Sequence, residues 1–121
     1  MDSNAIGYLC EYKIATALME HGHYVSMPLN NSSTYDMIAE INNNLYKIQV
    51  KGTKKKPSKN KNGIHVNISR HRTYSKSEID FIAIWVDYFK GFFFLRNQNQ
   101  NTVVLHPEGK YKNYFNKFVI G

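Results

Sequence analysis

The segment YDMIAEINNNLYKIQVKG, residues 35–52, decides the fold class of this chain. Two largely apolar runs, residues 35–41 and 45–52, flank the three consecutive asparagines at 42–44. Runs of this length between turn residues are typical of β-strands. Asparagine tolerates the positive φ angles that a tight turn between antiparallel strands requires. The segment therefore predicts a β-hairpin.

A helix is predicted before this hairpin, over residues 4–22. Its apolar side chains recur at helical spacing and form one stripe, made of Ile6, Cys10, Ile14, Ala17 and Leu18. Ser3 or Asn4 is expected to cap the start of the helix, and Gly22 to end it.

Most of the remaining chain is predicted to form strands. Further strands are expected over residues 23–29, 64–68, 79–88, 91–95 and 102–106, with short helices over 75–78 and 111–118. A leading helix followed mainly by strands predicts an α+β fold (α/β in the broad sense), with an N-terminal helix packed on a central sheet. A length of 121 residues suits one domain spanning residues 1–121.

Positive charge is concentrated in one part of the chain. The net formal charge is +7. Residues 41–77 contain no Asp or Glu but hold ten Lys or Arg residues, namely Lys47, Lys51, Lys54, Lys55, Lys56, Lys59, Lys61, Arg70, Arg72 and Lys76. Such a block is typical of a surface that binds phosphate, although a solvated lysine loop without a partner has the same composition.

Cysteine content and hydropathy indicate the compartment. The single cysteine, Cys10, excludes an internal disulfide framework and suits a reducing environment. The N-terminal residues lack the pattern of a signal peptide, and no apolar run approaches the roughly 20 residues that span a bilayer. We therefore expect a cytoplasmic protein with no membrane partner.

Candidate catalytic residues lie on the predicted hairpin. Asp36 opens its first strand, and Gln49 and Lys51 close its second. Because side chains alternate along a strand, Gln49 and Lys51 share one face, while Ile48 and Val50 point to the core on the other. Polar side chains at the end of an apolar strand need partners, and a functional site supplies them. The hairpin is expected to bring a carboxylate, an amide oxygen and an ammonium group together.

Glu11 adds a second carboxylate from the predicted helix. It lies at the edge of the apolar stripe, where a glutamate that faces the sheet is costly unless a cation or hydrogen-bond donors meet it. A partly exposed residue at the margin of the stripe is the alternative interpretation.

These residues resemble the PD-(D/E)XK nuclease superfamily. The resemblance is carried by Gly7 and Glu11 on the helix, by Tyr35-Asp36, and by Ile48-Gln49-Val50-Lys51-Gly52. It is strongest to small intron-encoded homing endonucleases whose motif contains Gln, and it extends to archaeal Holliday-junction resolvases. It covers roughly residues 4–95 and implies a restriction-endonuclease-like core with a mixed central sheet.

The resemblance implies hydrolysis of DNA phosphodiester bonds with Mg²⁺. Asp36, Gln49 and Glu11 are the implied metal ligands, and Lys51 joins them as a catalytic residue that stabilises developing charge. The chain departs from the usual motif at Gln49, which replaces a carboxylate by a neutral amide. A hard cation accepts an amide oxygen as a ligand, but with less charge to hold it.

The implied partner is double-stranded DNA. Contacts to its backbone are expected from Lys54, Lys55, Lys56, Lys59 and Lys61. Arg70 and Arg72 are expected to contact base edges in the major groove, with phosphate binding as the alternative. A homo-oligomer, either a dimer or a tetramer, is expected because one site cuts one strand, and the aromatic tail Tyr111, Tyr114, Phe115 and Phe118 offers a contact surface. Three functions stay open: a homing-type duplex endonuclease, a junction resolvase, and a non-catalytic DNA-binding module.

Overall fold

The structure is a computed structural model, and it describes residues 1–30, 32–68 and 78–121. A long helix, α1, spans Ser3–Glu20 and is followed by the strands β1 (Tyr24–Ser26), β2 (Met37–Ile41) and β3 (Asn44–Thr53). Four more strands follow, β4 (Ile64–Asn67), β5 (Phe81–Val86), β6 (Gly91–Arg96) and β7 (Thr102–Leu105). Short 3-10 helices cover Asp87–Phe89 and Lys112–Tyr114. The described residues include no helix that is long and apolar enough to cross a membrane.

The predicted helix and hairpin are confirmed. Ile14 and Leu18 are fully buried on the inner side of α1, and Gly22 follows the helix with φ of 85°. The cap differs from the prediction, because the carboxylate of Asp2 accepts the backbone N–H of Ala5 at 2.8 Å. In the hairpin, Asn42 and Asn43 have φ of 54° and 68°, the pair of positive values that a type I′ turn needs.

A five-stranded mixed sheet forms the centre of the fold, in the order β1-β2-β3-β5-β6. β3 pairs in parallel with β5, whereas the β1–β2, β2–β3 and β5–β6 pairs are antiparallel. Helix α1 packs on one face, over Met37, Ala39, Ile48 and Val50. A small antiparallel sheet of β4 and β7 contributes Ile64 and other apolar residues to a second core, which also contains Ile82 and Ile84. Strand β5 therefore contributes apolar side chains both to the core under α1 and to the second core.

The C-terminal segment differs from the prediction of a helix over residues 111–118. Only the one-turn Lys112–Tyr114 is helical, and the chain beyond it runs along the outer edge of β6. Asn116, with φ of 56°, donates its backbone N–H to Phe92 O and accepts the Phe92 N–H through its side chain. Phe118 stacks on Phe92, with 4.7 Å between the ring centroids. The hydrogen bonds gained at an open strand edge outweigh the helical tendency that the spacing of the aromatic residues indicates. These aromatic residues pack on this chain's own core.

A helix predicted over residues 75–78 lies almost wholly outside the described residues. The other predicted strands are confirmed. β6 runs one residue beyond the expected 91–95, and the rest are shorter than expected: β1 covers three residues of the expected 23–29, and β5 stops where Asp87–Phe89 turns.

Gly52 lets α1 approach β3 closely at the end of the site-bearing strand. A Cβ atom at this position would overlap the sulfur of Cys10, which is buried on α1 directly above it. The helix therefore rests on the backbone of β3, one residue beyond Lys51.

Replacing Gly52 by alanine is expected to destabilise the fold by about 1–3 kcal/mol, because the new methyl group displaces the Cys10 side chain in a packed core. Urea denaturation followed by circular dichroism measures the loss. The double variant Cys10→Ala, Gly52→Ala should regain most of it, because the overlapping sulfur is gone. A double variant no more stable than Gly52→Ala alone would contradict this packing argument.

Candidate active site

Asp36 is held against the backbone of β3, just before β2 begins. Its N–H donates to the Ile48 carbonyl at 2.8 Å, and its Oδ2 accepts the N–H of Val50 at 2.7 Å. The carboxyl group is half-buried. Two hydrogen bonds to one neighbouring strand fix both the backbone and the carboxylate, so Asp36 is a rigid point of the site.

Gln49 and Lys51 occupy the face of β3 that the alternation pattern predicts. Ile48 and Val50 are buried beneath α1, whereas Gln49 and Lys51 are half-buried on the opposite face. Their register partners in β5 are Ile82 and Ile84, which belong to the second core. Lys51 lies near enough to Asp36 for its positive charge to lower the pKa of that carboxyl group.

Glu11 reaches the same place from α1. Glu11 and Asp36 line one cleft of about 430 Å³ between the first turns of the helix and residues 27–36. Burial, together with the nearby negative charge of Asp36, raises the pKa of Glu11 to about 7. The structure therefore brings Glu11, Asp36 and Lys51 into one electrostatically coupled group, with Gln49 two residues from Lys51 along the strand.

The pKa of Asp36 is set by opposing effects. Burial raises it, while the Val50 N–H and the Lys51 ammonium lower it by stabilising the charged form. Two carboxyl groups that repel each other in a partly desolvated cleft form a place where a cation gains from both. Their oxygens, and the amide oxygen of Gln49, are donors of the kind that Mg²⁺ prefers.

The donor set of the site is small. Within residues 1–30, 32–68 and 78–121, no three His, Cys, Asp or Glu side chains are grouped so as to hold a metal ion. The two carboxylates therefore fit a divalent ion only if neutral oxygens complete its shell, from Gln49, from water and from phosphate. A shell rich in water and phosphate oxygens is usual for Mg²⁺.

The predicted lysines of the loop after β3 are exposed, namely Lys54, Lys55, Lys56, Lys59 and Lys61. Two of them have neighbours on this chain. Lys55 donates its ammonium to the His65 carbonyl at 3.3 Å, and Lys54 lies close enough to Asp87 to lower the pKa of that group. Arg70 and Arg72, also predicted to contact DNA, lie outside the described residues.

Three tyrosines in the cleft were not predicted as site residues. Tyr8, Tyr12 and Tyr35 line the same cleft as Glu11 and Asp36. Tyr8 and Tyr12 are more than half exposed. The spacing of Tyr8 and Tyr12 around Glu11 on one side of a helix is a signal that the sequence does contain, whereas the contribution of Tyr35 depends on the course of the loop.

Comparison with protein families matches residues 1–113 to the family described as PD-(D/E)XK endonuclease. The chain belongs to the PD-(D/E)XK endonuclease family. The matched range includes α1, the hairpin and the lysine loop, so every described site residue falls inside it. The family match supports a DNA endonuclease. No curated protein sequence shows a significant match.

Two solved structures share the restriction-endonuclease-like fold. A bacterial homing endonuclease, I-Ssp6803I, is similar with a TM-score of 0.76 and 18% identity, over 95% of this chain and 87% of that protein. The Holliday junction resolvase Hjc of the archaeal hyperthermophile Archaeoglobus fulgidus is similar with a TM-score of 0.55 and 12% identity, over 88% of both chains. The predicted fold class is thereby confirmed.

Stability without metal is expected to fall as pH rises from about 4.5 to about 7, the interval between the ordinary pKa of Glu11 and its pKa in the fold. The sign follows because the folded chain holds this proton more tightly than the unfolded chain. Glu11→Gln should therefore be more stable than the wild type at pH 8, by about 1 kcal/mol after allowance for solvent screening.

Urea denaturation in a metal chelator at pH 4.5 and at pH 8 measures this difference. Glu108→Gln, which removes an exposed carboxylate far from the cleft in sequence, is the matched control and should not show it. Equal stability of Glu11→Gln and the wild type at pH 8 would show that neither burial nor Asp36 raises the pKa of Glu11.

Proposed function

We propose that this endonuclease hydrolyses DNA phosphodiester bonds with Mg²⁺ and that it is a homing-type enzyme that cuts duplex DNA. The observation that carries the proposal is the meeting of Glu11, Asp36 and Lys51 from three separate segments of the chain. A structural ion pair would need one carboxylate beside Lys51. The second carboxylate, in spite of the repulsion it suffers, favours a site that takes a cation and a phosphate.

Asp36, Glu11 and the amide oxygen of Gln49 are the proposed metal ligands. Asp36 accepts the Val50 N–H through Oδ2, which leaves the lone pairs of its other oxygen for a ligand. Bound Mg²⁺ would supply Lewis-acid polarisation of the phosphate and a lowered pKa for the attacking water. Gln49 adds an oxygen but no charge, so we expect weak metal affinity that the phosphate of DNA strengthens.

The chain's own residues perform the rest of the reaction. The Lys51 ammonium lies beside Asp36, where it stabilises the negative charge that develops on the phosphate oxygens in the transition state. Asp36 is kept in place by its two backbone hydrogen bonds, so the charges do not need to reorganise during the reaction. Glu11, whose pKa is about 7 in the metal-free fold, would release its proton when it binds the cation.

The homing type is favoured over the resolvase by the comparison of folds. The likeness to the homing endonuclease covers more of this chain, at a higher TM-score, than the likeness to the resolvase. Since one centre of this kind cuts one strand, we also propose that the working form contains at least two copies of the chain. Cytoplasmic location is proposed on the single, unpaired cysteine Cys10.

Lys51→Ala is expected to lower Mg²⁺-dependent cutting of plasmid DNA by about 100-fold or more, the usual effect of removing one group that stabilises transition-state charge. Binding of the same DNA in Ca²⁺ should change little, because the lysine loop supplies most of the backbone contacts. Plasmid nicking and linearisation, measured beside an electrophoretic mobility shift, check both parts.

Lys47→Ala is the matched control, because Lys47 lies on the same strand and on the same face as Lys51, four residues away. It should cut at nearly the wild-type rate. Undiminished cutting by Lys51→Ala would remove Lys51 from the mechanism. Cutting of four-way junctions in preference to linear duplex would replace the homing proposal by a resolvase, and binding without any cutting would replace it by a DNA-binding module.

The triple variant Lys56→Ala, Lys59→Ala, Lys61→Ala is expected to weaken binding to all DNA sequences equally. Each lost phosphate contact should flatten the plot of log affinity against log salt by about 0.9. A control with the same change of net charge replaces Lys110, Lys112 and Lys117, which are exposed near the C-terminus. Fluorescence anisotropy at several salt concentrations measures the slopes, and equal slopes for the two variants would place the DNA elsewhere.

A further inference from the structure

Helix α1 is apolar on the side that faces away from the sheet as well as on the side that packs against it. Leu9 is 44% exposed, Tyr12 61% and Met19 57%. Leu9 and Tyr12 border an open groove of about 480 Å³, whose lining also includes Thr16, Ala17, Trp85 and Phe92. A group of exposed apolar side chains on one side of a helix often marks a surface that binds another molecule. The outer surface, defined here as Leu9, Tyr12, Lys13, Thr16, Met19 and Glu20, therefore needs a partner.

We infer that this outer surface binds the same surface of a second copy of the chain, with the two α1 helices antiparallel. The inference rests on the proposed function to the extent that cutting a duplex requires two copies. Its own evidence is the pattern of charge. The groove contains two charged side chains, Lys13 and Glu20, of opposite sign and two helical turns apart.

The charges are arranged symmetrically about the centre of the surface. Thr16 and Ala17 lie midway between Lys13 and Glu20. If two antiparallel helices cross at this point, Lys13 of each copy lies beside Glu20 of the other, and a two-fold axis repeats the pair. The small side chains at the crossing let the helices approach, and Leu9 and Tyr12 flank it. The surface is thus complementary to itself.

Double-stranded DNA fits this surface poorly. Lys13 is its single cation, whereas duplex DNA presents a row of phosphates. Glu20 would repel a phosphate. The cleft that contains Glu11 opens on another side of α1, about 180° from Glu20 at 100° per residue. Tyr12 lines both the groove and the cleft, so pairing through the outer surface would cover the Tyr12 edge of each cleft, while Glu11 lies on the opposite side of the helix from Glu20.

Charge reversal tests this interface in the full chain, without DNA and without metal. Lys13→Glu alone places two glutamates against each other twice in a dimer, and Glu20→Lys alone does the same with lysines. Each variant should weaken the dimer by about tenfold or more relative to the wild type. An equimolar mixture of the two variants should recover it, because both contacts then join opposite charges. Analytical ultracentrifugation measures the association.

Lys112→Glu, which makes the same charge change on the exposed turn of the C-terminal segment, is the matched control and should leave association unchanged. Circular dichroism checks that each variant is folded. A monomeric wild type, or a dimer that neither reversal weakens, would overturn the interface. A mixture that stays monomeric although both variants are folded would also overturn it.

The result is separable from the proposed nuclease activity. A chain that dimerises through α1 but does not cut DNA leaves the interface intact and removes the catalytic proposal. A chain that cuts DNA and whose association is weakened by neither charge reversal keeps the catalytic proposal and removes the interface. Stronger DNA binding by Glu20→Lys with no change in size would assign the surface to DNA and overturn the inference.

Discussion

The hydrogen bond from the Val50 N–H to the Asp36 carboxylate is the contact on which the site depends. It joins Asp36 to the middle of β3, the strand that carries Gln49 and Lys51. A half-buried carboxylate is costly, as the raised pKa of Asp36 shows. The cost is offset at two points, by the backbone donor and by the Lys51 ammonium. Without these donors the carboxylate would gain more from water than from the cleft, and backbone hydrogen bonds alone would hold the start of β2 against β3.

The charges of the neighbouring carboxylates explain why a neutral side chain is favourable at position 49. Burial, together with the repulsion between Glu11 and Asp36, already raises the pKa of Glu11 to about 7. A third carboxylate at position 49 would add to that repulsion whenever no cation is bound, whereas an amide provides an oxygen ligand at no electrostatic cost to the fold. In the proposed metal site, an amide at position 49 would therefore favour stability of the metal-free protein over metal affinity. Such a site would hold a cation well only when the phosphate of DNA also binds it.

Local patterns predicted the parts of this molecule that depend on local interactions. The asparagine turn and the stripe of α1 were predictable because turn geometry and helical period act over a few residues. Alternation in β3 correctly separated Gln49 and Lys51 from Ile48 and Val50, and of these side chains Lys51 acts on the pKa of Asp36. The partnership of Glu11 with Asp36 was predictable from family resemblance and from the marginal position of Glu11, but its strength depends on burial that no sequence pattern measures.

The C-terminal segment shows where such reasoning fails. The spacing of Tyr111, Tyr114, Phe115 and Phe118 favours a helix, yet the open edge of β6 offers hydrogen bonds and aromatic neighbours to an extended chain. Asn116 can take the positive φ angle that this course needs. The apolar residues of α1 face a similar choice, between packing on this chain and contacting another molecule. The C-terminal aromatic residues, which looked like a contact surface in the sequence, close the sheet edge. Leu9, Tyr12 and Met19 instead stay exposed on a helix whose inner side is already packed. On this outer surface, the order of Lys13, Thr16 and Glu20 favours a second copy of the chain.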